Sequence, residues 1–256
     1  MSRVPARSWL IEGQTRFLSD RPRFRPRLWP TVFTLPVLLL LLGLGVWQVQ
    51  RLHWKEGLIA ERRAAAMAVP EPVPHARTVT PDMNFRHVYA EGVFLNDKEI
   101  LVYAPPRIGK SGFDVLTPLV QADGRIVFIN RGFVPLGLRD PATRAAGEIT
   151  GPVHLKGLLR LPPRRKPGWF IPDNDPRRHR WFWIDLPQMA AADGLARMAP
   201  YYVDVDATPN PGGWPQGGLT VVRLPNNHLQ YAIIWFSLAV VLLVIYVLSQ
   251  RDGGSG

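Results

Sequence analysis

The chain has 256 residues, contains no cysteine and carries a formal net charge of +11 at pH 7. This length allows one sizeable folded domain with appended segments. The lack of cysteine excludes disulfide bonds, thiolate metal sites and a cysteine nucleophile. It also argues against delivery of Cu(I), because this ion prefers thiolate and thioether ligands.

Two long apolar segments lie near the two ends of the chain. Residues 29–49 and 229–248 each contain no charged residue. Each is about as long as the roughly 20 helical residues that cross the hydrocarbon core of a bilayer. We therefore predict two transmembrane helices rather than core helices, because one soluble domain could hardly bury both. No small-residue cleavage pattern follows residue 49, so we expect the first segment to remain as an anchor rather than to be cleaved as a signal peptide.

Positive charges predict the orientation of these helices. Residues 1–28 hold seven arginines against Glu12 and Asp20, and basic flanking segments of this kind stay on the cytoplasmic side. The basic tail 1–28 and the tail 249–256 are then cytoplasmic, and residues 50–228 form a periplasmic domain. We expect a multi-pass protein of the bacterial inner membrane, with the mitochondrial inner membrane as the less favoured alternative.

The domain between the two helices is predicted to be mostly β-structure. A helix continues over residues 50–68, and Pro70, Pro72 and Pro74 would end it and form a stiff extended linker. A short helix is expected over 186–198, although Gly194 weakens its second half. Short segments rich in β-branched and aromatic residues predict seven strands: 87–95, 99–104, 112–121, 125–134, 153–161, 201–205 and 219–224.

These elements together predict the fold class. We expect a membrane protein in which two transmembrane helices flank a mainly antiparallel β domain, barrel-like or sandwich-like, with a few short helices. No motif for catalysis is evident. Gly109-Lys110-Ser111 lacks the earlier glycine of a phosphate-binding loop, since that position is Ala104, so it indicates a basic hairpin turn. The six histidines have no spacing typical of a metal site.

Residues 160–183 form a basic, aromatic and proline-rich segment. We expect no nucleic-acid partner, because the segment lies in the predicted periplasmic domain. One interpretation is a loop near anionic lipid headgroups, with arginines on phosphates and tryptophans at the bilayer interface. The other is a contact surface for a partner protein or for haem propionates.

A histidine stands immediately before the second apolar segment. Positions 228, 231 and 235 fall on one face of a helix, so His228, Tyr231 and Trp235 are expected to share that face. If the two helices run antiparallel, Trp47, Gln48 and Arg51 at the outer end of the first helix lie at the same membrane depth as His228. Gly43 and Gly45 would let the helices approach closely.

This arrangement suggests a half-buried pocket suited to haem. His228 would supply an axial imidazole to the iron, and the aromatic residues would form its walls. Arg51 could pair with a propionate. The alternative is that His228 is an interfacial residue at the helix entry and that the tryptophans anchor the helices in the membrane.

Several sequence segments resemble one known family. The segments are GVWQVQRLHWK at 45–55, GFDVLTPL at 112–119, RGFVP at 131–135, NNHLQYAIIWFSLA at 226–239, and the stretch 172–185. In this order and over nearly the whole chain, they resemble the surfeit-locus (Surf/Shy) family of cytochrome c oxidase assembly factors.

The resemblance implies an inner-membrane protein that acts in the maturation of haem-copper oxidases, at insertion of haem a into subunit I. Its partners would be cytochrome c oxidase subunit I, haem a synthase and the lipid bilayer. It also implies that His228 ligates haem iron, with Trp235 on the same face. The family pattern has threonine where this chain has Ile234, a position that faces away from the histidine.

Two functions remain open at this point. A haem a chaperone would hold the cofactor through His228 until its transfer, without making or breaking a bond, and so would not be an enzyme. A cofactor-free scaffold would instead stabilise an oxidase assembly intermediate, and His228 would then be structural. An enzyme of haem modification is disfavoured, because no redox centre or acid–base cluster is evident.

Overall fold

The structure is a computed structural model that describes residues 27–220 and 226–251. The chain divides into two units. The helix unit consists of Met1–Glu56 with Pro225–Gly256, and the sheet unit consists of Gly57–Leu224.

Two long helices dominate the helix unit. Helix α1 covers Leu28–Met67 and α3 covers His228–Ser249, and both are long and apolar enough to cross a membrane by length and composition. The predicted apolar helices are therefore confirmed as helices. The predicted continuation through residues 50–68 is also confirmed, since α1 runs without interruption to Met67, and its residues from Gly57 on belong to the sheet unit.

The two helices of the helix unit pack antiparallel. Near one end the side chain of Gln48 contacts His228, and near the other Thr31 Oγ1 lies 2.7 Å from Tyr246 Oη. Buried and half-buried positions recur every three or four residues along both helices, as in a two-helix seam. They include 31, 34, 38, 41, 45 and 48 in α1, and 228, 232, 235, 239, 242 and 246 in α3.

Seven strands of the sheet unit form one mixed sheet in the order β1-β2-β6-β7-β5-β4-β3. An additional pairing joins β2 to β4. Most pairings are antiparallel, but β1 pairs with β2, and β5 with β7, in parallel. The strands are β1 Glu71–Pro72, β2 His87–Phe94, β3 Ile100–Arg107, β4 Lys110–Val120, β5 Ile126–Pro135, β6 Pro152–Arg160 and β7 Met198–Val205.

Six of the predicted strands appear close to their expected positions, as β2 to β7. The proline-rich segment differs, because Glu71 and Pro72 form a short parallel strand beside Val88 and Tyr89 instead of a simple linker. Most of the predicted strand 219–224 lies outside the described residues.

Two smaller expectations can also be compared with the structure. Helix α2, Leu186–Ala192, is shorter than expected and ends before Gly194, whose φ of +65° does not continue an α-helix. The basic turn is confirmed as a hairpin, with Ile108 and Gly109 in left-handed conformation between β3 and β4.

Both faces of the central strands are covered by apolar residues. Val127 and Ile129 of β5 point into one core, together with Leu119, while Phe128 between them packs into a second core. Trp181 and residues of α2 complete the second core. Because both faces are buried, the central strands hold several polar side chains inside the domain, and these side chains must find partners there.

Candidate functional site

The helix unit brings His228 against a polar residue of the facing helix. His228 is the first residue of α3, and its Nδ1 lies 2.7 Å from Oε1 of Gln48 on α1. Gln48 is 8% exposed, and His228 is half-buried. The contact occurs at the seam between the helices, where the buried stripes of α1 and α3 meet.

This hydrogen bond determines which nitrogen of the imidazole carries the proton. The amide oxygen of Gln48 can only accept, so Nδ1 of His228 donates. In the neutral ring, Nε2 then keeps its lone pair. Among residues 27–220 and 226–251, the structure records no hydrogen bond to Nε2. Histidines that bind metals commonly donate their other ring N–H to a carbonyl or carboxylate in this way, so the geometry suits an iron ligand.

Trp235 and Tyr231 occupy different positions relative to the seam. Trp235 is half-buried on the same stripe as His228, with Ala232, 3% exposed, one turn after the histidine. Tyr231 is 51% exposed and lies at the flank of the helix.

Trp47 and Arg51 lie on another side of α1. Trp47 is 53% exposed, and the guanidinium carbon of Arg51 lies 3.8 Å from the centroid of the Trp54 ring. Within the described part of the chain, the structure therefore joins His228 to Gln48 and does not bring Trp47 or Arg51 into contact with His228. Trp54 on the following helical turn holds Arg51 by a cation–π contact.

Close approach of the helices depends on one glycine. A Cβ built on Gly45 would lie only 2.6 Å from a ring carbon of Phe236 on α3, whereas a Cβ on Gly43 meets nothing within 4 Å. Gly45 lies almost one turn before Gln48 on the same buried stripe. The glycine thus sets the spacing at which Gln48 reaches His228, and of the two glycines expected to aid close approach, Gly45 is the one at the contact.

The role of Gln48 is the main feature that the sequence interpretation missed. Gln48 lies at the end of the first apolar segment. Its neighbours in the sequence do not identify it as the partner of a histidine 180 positions away. The polar side chain of Gln48 beside an apolar segment is itself a signal, since polar side chains buried inside membrane helices usually form hydrogen bonds across a helix interface.

The basic segment of the sheet unit presents two aromatic side chains to solvent. Trp169 and Phe170 are 92% and 74% exposed, and their rings meet edge to face with centroids 6.1 Å apart. Trp181 in the same segment is 1% exposed and belongs to the second core, so only part of the segment's aromatic surface is available for contacts. The described residues contain no cluster of three or more histidine, aspartate or glutamate side chains that could hold a metal ion.

Comparison with known proteins identifies clear relatives. A family model described as the SURF1 family matches residues 35–240. A "SURF1-like protein" of Monosiga brevicollis is 36% identical over 228 residues, which cover 83% of this chain and 84% of the relative. "Surfeit locus protein 1" of Homo sapiens is 37% identical over 232 residues, or 84% of this chain and 75% of the relative. The protein of that name from Mus musculus is 37% identical over 211 residues, which cover 77% and 67%.

Proposed function

Because the chain belongs to the SURF1 family, we propose that it is an assembly factor for a haem-copper cytochrome c oxidase, which holds haem a through His228 and aids its insertion into subunit I. The two apolar helices would anchor it in the bacterial inner membrane, with both termini in the cytoplasm and residues 50–228 in the periplasm. The relatives from animals make a mitochondrial inner membrane the alternative location.

The observation that carries the haem proposal is the hydrogen bond between Gln48 and His228. It fixes the imidazole in the tautomer with a free Nε2, and this nitrogen would hold a haem iron. The haem would be cargo, and its iron would take part in no reaction on this protein. The chain's own residues bind and orient the group, and no bond of a substrate is made or broken, so the proposed activity is not enzymatic.

Further side chains near the ends of the two helices would contact the haem. Trp235, half-buried on the stripe of His228, would form an aromatic wall. Tyr231 and Trp47, both about half exposed, would border the group on its lipid-facing side. The guanidinium carbon of Arg51 lies 3.8 Å from the centroid of the Trp54 ring, and the N–H groups of Arg51 would pair with a propionate.

A cofactor-free scaffold is the second candidate function, and one observation favours it. The helix pair contains a second side-chain hydrogen bond between helices, which joins the hydroxyls of Thr31 and Tyr246, and the backbone N–H of Arg27 donates to Gln250 Oε1 at 2.6 Å. In this function the Gln48–His228 contact is one of several hydrogen bonds that hold the two helices together, and the helix pair docks on oxidase subunit I.

A spectrum of the purified protein tests the first function against the second. The chain is co-expressed with the enzymes of haem a synthesis, purified in mild detergent, and measured by visible absorption and haem extraction. We expect a haem a band in the wild type, its loss in His228→Ala, and its retention in His53→Ala, which changes an exposed histidine of α1. A weaker band is expected for Arg51→Ala.

Each outcome of this experiment has a defined meaning. A band that is equally strong in His228→Ala would exclude His228 as the iron ligand. A colourless wild type that still copurifies with subunit I would support the scaffold function. Copurification with haem a synthase in the coloured preparation would support a direct route of delivery from that enzyme.

A further inference from the structure

The basic segment of the sheet unit contains two neighbouring surface turns that the proposed function does not use. We call residues 164–180, which include both turns, the double turn. The first turn is closed by an ion pair, since Lys166 Nζ lies 2.7 Å from Asp173 Oδ1. The second turn is closed by two backbone hydrogen bonds between Asp175 and Arg180. Both loops are therefore held by contacts within the segment.

One side chain fixes the double turn to the rest of the sheet unit. Asn174 lies between the two turns, and its Oδ1 accepts a hydrogen bond from the backbone N–H of Phe182 at 2.8 Å. Its Nδ2 donates to the carbonyl oxygen of Trp183 at 3.2 Å. Trp181, immediately before these two residues, is buried in the second core. The double turn is thus anchored next to the core of the domain.

The first turn carries two large aromatic side chains that the domain does not bury. Trp169 and Phe170 are 92% and 74% exposed, and Gly168 and Ile171 on either side of them are joined by a backbone hydrogen bond. Removal of rings of this size from water is favoured by the hydrophobic effect. A pair of such rings at the tip of an ordered turn, with charged residues around it, therefore indicates a contact surface.

The negative charges of the double turn are already engaged within it. Asp173 pairs with Lys166, while Asp175 accepts a hydrogen bond from the backbone N–H of Arg178 and lies 3.8 Å from its Nε. Four other arginines are exposed and have no recorded ion pair in the part of the chain that the structure describes: Arg164, Arg165, Arg177 and Arg180. The double turn therefore presents positive charge to a negatively charged partner.

The combination of these groups matches the surface of an anionic bilayer. Tryptophan is enriched at the headgroup level of membranes, and arginine pairs with phosphate groups through several N–H donors. A small soluble anion would pair with the arginines but leave Trp169 and Phe170 in water. A bilayer surface offers both environments, without the matching pocket that a protein partner would have to supply.

The position of the sheet unit in the chain favours this partner. The unit follows the apolar part of α1 directly in the sequence, so it is tethered to any bilayer that α1 crosses. A tether raises the effective concentration of the bilayer surface at the double turn, and even a weak contact then becomes populated.

We propose that the double turn docks on the surface of an anionic phospholipid bilayer. Trp169 and Phe170 enter the headgroup region, and the exposed arginines pair with the phosphates of the lipids. The inference rests on the membrane anchoring within the proposed function, and it does not depend on haem binding at His228.

Fluorescence quenching of the full-length protein in lipid nanodiscs tests this contact. Because the chain has no cysteine, Phe170→Cys provides a single site for a thiol-reactive, environment-sensitive fluorophore, and Trp169 is retained. The nanodiscs contain either phosphatidylcholine alone or a mixture with phosphatidylglycerol, each with a trace of lipid that carries a nitroxide quencher on its headgroup. We expect quenching to be roughly threefold stronger in the anionic nanodiscs, and this excess to fall at high salt.

Two double variants of the labelled protein locate the contact. Arg165→Gln combined with Arg177→Gln removes two exposed arginines of the double turn, and the excess quenching in anionic nanodiscs should fall by roughly half or more. Arg77→Gln combined with Arg139→Gln is the matched control, since it removes two exposed arginines of the sheet unit outside the double turn. The control should keep the quenching of the labelled protein without these changes.

Equal quenching in the two kinds of nanodisc would overturn the proposal, and so would equal quenching in the two double variants. A label that is protected only after addition of oxidase subunit I would also overturn it and would indicate a protein partner. A chain that does not incorporate into nanodiscs would contradict the membrane anchoring on which this inference rests. That outcome is distinct from loss of the haem a band, which tests His228.

Discussion

Gln48 Oε1 lies 2.7 Å from His228 Nδ1, and this contact joins two residues 180 positions apart in the chain. It links the seam residues of two antiparallel helices at the start of α3. Because the amide oxygen accepts a hydrogen bond from the Nδ1–H group, the free lone pair of the neutral imidazole is on Nε2. Gln48 would therefore be a positioning residue for any ligand that His228 binds.

Replacing Gln48 should weaken haem binding while leaving the proposed iron ligand, His228, in place. We expect Gln48→Leu to lower the affinity for haem by roughly 10- to 100-fold, as is typical for loss of the partner of a metal-bound histidine. The measurement is a haem titration of purified protein followed by Soret absorption. Gln50→Leu, an exposed glutamine two residues further on, is the control. Equal affinity in the wild type and Gln48→Leu would show that the hydrogen bond does not orient the imidazole.

The two glycines of α1 should differ sharply in their tolerance of larger side chains. Gly45→Leu would collide with the ring of Phe236, and overpacking of this kind costs about 1 to 3 kcal/mol. Gly43→Leu adds the same side chain where nothing lies within 4 Å, so it should be nearly neutral. Thermal unfolding in detergent, followed by tryptophan emission, measures the difference. Similar midpoints for both variants would contradict the close contact at Gly45.

Removal of the cation from a buried ion cluster should destabilise the sheet unit. Arg144 and Glu99 have side chains that are 1% and 5% exposed, and Arg144 also binds Glu148. Arg144→Met leaves Glu99 without its cation and Glu148 with only Arg131, 3.8 Å away, which should cost about 3 to 5 kcal/mol in the free energy of unfolding.

Urea unfolding with tryptophan fluorescence measures this cost. Arg139→Met removes an exposed arginine from the same region and should change stability by less than about 1 kcal/mol. Adding Glu99→Gln to Arg144→Met should recover part of the loss, because one unpaired charge is then removed. An Arg144→Met variant as stable as Arg139→Met would show that the cluster contributes little.

Local sequence patterns predicted most of the secondary structure. The two apolar helices and six strands follow from composition and from turn residues such as Gly109 and Gly124, because these signals act within a few positions. The parallel pairing of Glu71 and Pro72 with β2 could not be predicted in this way, since it depends on a partner strand beyond two intervening turns. The parallel pair β5–β7 is likewise joined by a connection of more than 60 residues.

The candidate site was predictable in part. The position of His228 before an apolar helix and the shared stripe with Trp235 follow from helical periodicity. The Gln48 partner does not, because it requires the register between two helices that are distant in sequence. The contact of Arg51 with Trp54 could be predicted from the local sequence, since Trp54 lies three residues further along the same helix and such pairs commonly touch.

Asp114 should make the stability of the sheet unit depend on pH. Burial raises the pKa of this carboxyl from 3.8 to about 6, with Asp204 adding repulsion and Arg107 partly opposing the shift. Between about pH 4 and pH 6, Asp114 is therefore protonated in the folded state and ionised in the unfolded state. Stability falls as pH rises through this window, and ionisation of Asp114 costs roughly 3 kcal/mol at neutral pH.

The variant Asp114→Asn isolates this effect, because asparagine keeps the shape of the carboxyl but stays neutral at every pH. We expect its unfolding midpoint to change less between pH 4 and pH 7 than that of the wild type. Asp123→Asn should keep the wild-type profile in this window, since Asp123 is exposed and its hydrogen bonds to Arg125 lower its pKa rather than raise it. A profile for Asp114→Asn that falls as steeply as the wild type would place the titrating group elsewhere. Asp114 Oδ1 is buried without a hydrogen-bond partner among the described residues, so it is the atom on which the proton of the folded state would reside.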